Sequence, residues 1–135
     1  MGLTGGSAGE KLKKPIAKVL GHGEFLVASA EFTRGAEPRS AILAGQSLPD
    51  NLVLAVTDRR MLVFRLGGLP ERVREVTHAL PLRSITEVRA EPSGKTLRIT
   101  VLFGDGATAA FDASRAHASD AGEVARALTT ALARR

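Results

Sequence analysis

Three histidines, His22, His78 and His117, are the side chains in this sequence best suited to hold a metal or carry a proton. They lie far apart, and none has a second histidine or a carboxylate at ligand spacing such as H-x-x-x-H. His78 falls on an apolar strand pattern and reads as a core or rim histidine whose ring nitrogens find partners. Asp105 and Asp112 flank a hairpin and could approach one another, as a carboxylate pair must, but turn and strand-end duties account for both. Ser29, Ser40 and Ser84 stand in no nucleophile motif. Gly67-Gly68 and Gly104-Asp105-Gly106 are turn glycines with no phosphate-loop context. Cysteine is absent, which removes thiolate metal sites, a Cys nucleophile and a disulfide framework. With no catalytic residue set and no metal ligands, the chain reads as a non-enzyme that uses no cofactor.

What remains is charge. Lys11, Lys13, Lys14 and Lys18, with Arg59 and Arg60 at a hairpin tip, are the candidate contacts for a lipid headgroup or phosphate. The chain carries +5, but the charge is unevenly placed. Residues 1–20 hold those four lysines against Glu10, and Arg134 and Arg135 close the sequence. Between these ends, 13 basic side chains balance 13 acidic ones. A nucleic-acid-binding domain concentrates its positive charge on the folded face that meets phosphate. An excess confined to the two ends argues against DNA or RNA.

These groups must be positioned by one domain of 135 residues, long enough to bury roughly two thirds of its unfolded surface. A hydrophobic share of 44% against 24% charged residues excludes a disordered chain. No apolar run approaches the roughly 18 residues of a membrane span. Residues 1–10 read as a flexible leader and lack the order of a signal peptide. In the helix expected over residues 11–20, Leu12, Ile16, Val19 and Leu20 share one face and the lysines lie elsewhere. Such a helix could lie on a membrane surface or pack on the domain; its shortness and lack of Trp or Phe favour packing.

Strands are expected from residue 24 to residue 112. The central signal is Leu52–Val56 and Met61–Phe64, two apolar runs around the polar turn Thr57–Arg60, a β-hairpin pattern. Residues 39–44 are a second strand or an extension. Val76, His78 and Leu80 share a face by strict alternation. Ile85 and Val88 break alternation by one residue, which predicts a bulge. Leu97, Ile99, Val101 and Phe103 alternate with polar partners. A last helix over residues 119–134 turns Ala121, Val124, Ala125, Leu128, Ala131 and Leu132 to one face, with Glu123, Arg126, Thr130 and Arg134 opposite. Asp120 and Glu123 fit a capping box there, with Ser119 as the alternative cap.

Four pieces in this order carry a family resemblance: an amphipathic lead into Gly23-Glu24; the hairpin LAVTDRRMLVF over residues 54–64; LPLRSITEV over residues 80–88; and strand, Gly-Asp-Gly turn, strand, C-terminal helix. Over about residues 15–133 the chain resembles bacterial pleckstrin-homology-like (PH-like) domains, and among them the short YokE-type group. The resemblance implies a mainly β fold: a bent antiparallel β-barrel or sandwich of about seven strands capped by the C-terminal helix, with the N-terminal segment part of the domain. Residues 39–44 depart from the shortest relatives. Thr57 and Arg60 match family turn positions. Ligand contact is one role for them; the favoured one is structural, Thr57 holding the turn through its hydroxyl and Arg60 pairing with a carboxylate. Eukaryotic PH domains grip inositol phosphates with a basic set near the first hairpin, where this chain offers only Arg34 and Arg39 around Glu37 and no Lys-rich run, so the diagnostic phosphoinositide pattern is absent. Ring-forming relatives imply self-assembly as a mode of action. The expectation is therefore a cytoplasmic interaction or scaffold module acting through a partner protein or its own copies. The alternative is peripheral attachment to the anionic inner face of a membrane.

Overall fold

Why the central hairpin is apolar without alternation is explained by burial on both faces. In the computed structural model, which describes residues 14–35 and 42–134, Asn51–Thr57 (β4) is buried at every position after Asn51. Its partner Arg60–Gly67 (β5) is buried from Met61 to Phe64. Leu52, Leu54, Val56, Met61 and Val63 face the main core. Val53, Ala55, Leu62 and Phe64 face a second cluster closed by Ile16, with Leu20 packed against it. A strand covered on both sides has no polar face to show. Ile16 belongs to α1, helical over the described residues 14–17, which ends before the residue 20 expected. Residues 11–13, and the leader before them, lie outside the described residues.

The other elements are Leu26–Arg34 (β1), Ile42–Leu43 (β2), Gln46–Ser47 (β3), Arg72–Pro81 (β6), Ile85–Ser93 (β7), Thr96–Phe103 (β8), Thr108–Ala113 (β9) and the helix Ala118–Ala133 (α2). Seven strands form one antiparallel sheet in the order β6-β5-β4-β1-β9-β8-β7. The sheet bends around a core shared by both halves, where Phe32 of β1 meets Phe111 of β9 edge to face at 6.0 Å between ring centres. The end strands β6 and β7 do not pair, so the expected barrel is an open, bent sheet. Their connection is held elsewhere: Leu82 N–H donates to the Arg59 carbonyl, and the Ser84 carbonyl accepts Gly104 N–H.

β2 and β3 form a separate two-residue hairpin. It is an insertion between β1 and β4 that buries Leu43, with Leu48 after it, in the main core, rather than a lengthened sheet strand. The bulge expected near Ile85 occurs between Ile85 and Glu87. An unexpected one lies in β6, where Val63 pairs with His78 but Phe64 with Val76. Val76 therefore joins the second cluster, while Leu80 packs on the main core, and the shared face expected for Val76, His78 and Leu80 is broken at Thr77. α2 buries Ala121, Val124, Ala125 and Leu128. Its capping box is not formed. A 3₁₀ turn, Arg115–His117, leads straight into it, and backbone carbonyls of Ser114 and Arg115 take the N–H groups of His117 and Ala118.

Candidate functional site

The start of β1 is fixed by a buried polar cluster on the hairpin turn. Gly23, at φ 76°, bends the chain out of the N-terminal segment and brings in Glu24, whose side chain is 1% exposed. Glu24 Oε2 accepts the Thr57 hydroxyl at 2.7 Å and Arg60 Nε at 2.9 Å. Glu24 Oε1 accepts Arg60 Nη2 at 2.6 Å and Gly21 N–H at 2.8 Å. The Thr57 oxygen in turn accepts the N–H groups of Arg59 and Arg60 at 3.0 and 2.9 Å, and Arg60 Nη2 also reaches the Val19 carbonyl at 3.2 Å. The structural roles expected for Thr57 and Arg60 are those seen, and the cluster ties the N-terminal segment to the hairpin.

The Arg60 hydrogen bonds, opposed by burial and aided by Thr57 and Gly21, hold the Glu24 carboxyl at about 2, below its ordinary 4.5. A depressed carboxyl stabilises the fold above its unfolded value and loses that contribution as pH falls toward its folded one. Between pH 7 and pH 3 the Glu24 contribution should drop by roughly 2 kcal/mol. Urea midpoints measured across that range check this, with Glu24→Gln expected to flatten the acid limb below pH 4.5.

Beside this cluster the backbone of Phe25 is pinned from both sides. Its N–H donates to Asp58 Oδ1 at 3.0 Å, and its carbonyl accepts Asp58 N–H at 3.2 Å. The residue nevertheless remains 58% exposed. Leu26 pairs with Thr57 and Ala28 with Val56, which leaves Val27 as an extra, bulged residue, half exposed. Bulges re-aim side chains. Here Phe25 and Val27 border a groove of about 660 Å³ against α2, floored by Ala28, Val56, Leu82, Ala127 and Ala131. Glu123, Arg126, Thr130 and Arg134, the face of α2 opposite its core stripe, line this groove together with Arg83.

The candidate basic contacts are not gathered into one site. Lys14 and Lys18 are exposed; Lys11 and Lys13 lie outside the described residues. Arg59 bonds the His22 carbonyl and lies 3.7 Å from Asp58, while Arg60 is committed to Glu24. Arg34 bonds the Leu48 carbonyl and pairs with Asp50. His78 is buried; its Nε2–H donates to the Gln46 carbonyl at 3.2 Å, and its Nδ1 lies 2.8 Å from the Thr77 hydroxyl. His117 lies 3.6 Å from Glu31, and Asp112 pairs with Arg98. Asp105 closes its own turn by accepting Ala107 N–H. Among the described residues no three metal-ligating side chains converge, and no helix is long and apolar enough to cross a membrane.

A seven-stranded bent antiparallel sheet in this order, with a C-terminal helix packed into its core, defines a PH-like fold. Among solved structures, the chain is similar to a DUF1696 family protein with a pleckstrin-homology domain from Shewanella loihica PV-4, at TM-score 0.57 and 11% identity over 91% of this chain and 92% of that one. It is also similar to the linker-DH/PH domains of p115-RhoGEF, at TM-score 0.56 and 15% identity over 90% of this chain, which spans only 34% of the latter. No protein-family profile and no curated protein matches the sequence.

Proposed function

We propose that this PH-like domain, of the YokE-type group by its motifs, is a non-enzymatic cytoplasmic interaction module. Its partner, another protein or a second copy of the chain, docks in the groove beside α2. The observation that carries the reading is Phe25: a large apolar residue kept in solvent by a backbone bonded twice to Asp58. An exposed aromatic bordering a concave apolar floor is the composition of interaction anchors. The test is site-specific photo-cross-linking in the native cell, with the cross-linker at Val27 or at exposed Arg72 on β6. Adducts formed at Val27 and absent at Arg72 are expected; equal yields at both would sink the groove as the binding face.

The alternative, attachment to anionic lipid through Lys11, Lys13, Lys14 and Lys18, draws on the exposure of Lys14 and Lys18. Ile16 and Leu20 of that segment's apolar side are already spent on the second core cluster, which leaves Val19 as the exposed apolar residue among the described ones there to aid the lysines. Charge-driven attachment predicts pelleting with anionic vesicles at low salt that falls away with added salt. The protein is expected to stay in the supernatant at both. Pelleting abolished by changing the four lysines to glutamate would favour the membrane reading.

A further inference from the structure

We infer that the groove beside α2 selects an acidic segment of another protein, one that places an apolar side chain on the alanine floor and carboxylates against Arg83 and Arg134. This rests on the groove being the docking face and adds the chemistry of the occupant.

The argument begins with the charges lining the groove. Two are acidic and three basic, but they are not equally available. Asp58 is held by Phe25 N–H and stands near Arg59. Glu123 pairs with Arg126 at 2.6 Å. Arg83 and Arg134 are both exposed, and among the described residues no ion pair or hydrogen bond engages either guanidinium. Among the described residues, the groove thus presents two guanidinium groups with no carboxylate beside them, next to an apolar floor. Guanidinium favours planar, bidentate partners such as carboxylate.

The depth is set by small side chains. Ala127 and Ala131, one turn apart on α2, and Ala28 on β1 leave room where larger residues would fill it. A volume of about 660 Å³ lies within the range of roughly 300–1,000 Å³ that accommodates compact apolar groups.

A polypeptide is favoured over an anionic amphiphile by the state of β1. Residues Leu26–Thr33 pair with β4 on one side, but on the other side β9 pairs only with Thr33 and Arg34. The first half of β1, which borders the groove, therefore has no strand on one side and has α2 packed against it, so an extended peptide lying in the groove would run beside backbone that no strand pairs. The outer edge at β7 invites this less. The β7 edge presents exposed Glu87, Arg89 and Glu91, charges of the kind that discourage edge pairing.

The test is selection of random peptides displayed on phage against the full chain, followed by fluorescence-anisotropy titration of the recovered peptides. Sequences with Asp or Glu flanking Phe, Leu or Ile are expected. Their affinity should fall about tenfold or more in R83E and R134E, and in Thr130→Trp, which blocks the groove from an exposed helix position. Thermal melts of each variant establish that it is folded, and Ala131→Leu serves as the blocking variant if Thr130→Trp is not. Binding lost on blocking but unchanged by both charge reversals, or peptides without acidic residues, would overturn the acidic selectivity while leaving the groove as a docking face. No enrichment, or binding indifferent to blocking, would overturn both. Binding of phosphatidylglycerol vesicles that blocking abolishes, with no peptide bound, would identify the occupant as lipid.

Discussion

Replacing Glu24 with alanine is expected to cost about 3 kcal/mol of folding stability, read as a lower urea midpoint at unchanged slope. The carboxylate accepts four hydrogen bonds from three partners, and its removal leaves each partner differently placed. Thr57 is buried at 1% exposure, so its hydroxyl must fall back on the Arg60 carbonyl at 3.4 Å, a long bond. The Arg60 side chain is one-third exposed and regains some water, which keeps the loss below that of a fully enclosed ion pair. Arg60→Ala strands the acid instead, buried with its main counter-charge gone, and should cost at least as much. Glu24→Gln keeps the shape and one acceptor and should recover about half the loss. Because the cluster also joins Gly21 and Val19 to the hairpin, the alanine variant should speed amide exchange in residues 14–25 ahead of the sheet. A Glu24→Ala protein within about 0.5 kcal/mol of wild type would mean the cluster is decorative.

The parts of this cluster differ in how far sequence reveals them. Thr57 was readable because its work is local: it accepts amides two and three residues onward, a turn pattern that residue type announces. A carboxylate partner for Arg60 was readable as a need, but Glu24 lies 36 residues away and no local signature marks it. The same distinction separates strand from groove. Leu97, Ile99, Val101 and Phe103 alternate because one face meets the core, and Ile85–Val88 betrayed its bulge through a broken alternation. The β6 bulge was hidden, since Val76, His78 and Leu80 keep perfect spacing and only the register against β5 shifts. On α2 the stripe of Glu123, Arg126, Thr130 and Arg134 has the composition of a solvated face. Its second role, lining a groove, depends on Phe25 and Val27 arriving from about a hundred residues upstream in sequence. The bulge that re-aims Val27 exists only in the pairing with β4.

Ile16→Ala is expected to destabilise the domain by about 2–5 kcal/mol, the range for truncating a fully buried isoleucine. Ile16 has no exposed surface and packs against Val53, Ala55, Leu62 and Phe64 on the face of the hairpin turned away from the main core. Its helix ends at residue 17, and so short an element depends on that contact to persist. Leu20 and the hydrogen bonds at Val19, Gly21 and His22 then hold the segment. Losing it would uncover the second cluster, so the variant should also bind an apolar dye under native conditions. The measurement bears on function as well. If Ile16 is a core residue, deleting the N-terminal segment to test lipid binding removes part of the fold, and loss of binding in such a deletion says nothing about lysines. The four-lysine substitution keeps Ile16 in place and avoids that confusion. An Ile16→Ala protein with wild-type stability would make the segment a mere appendage. The unbroken apolar run of β4 would then need another cover, because a strand with Val53 and Ala55 turned to water would not carry that sequence.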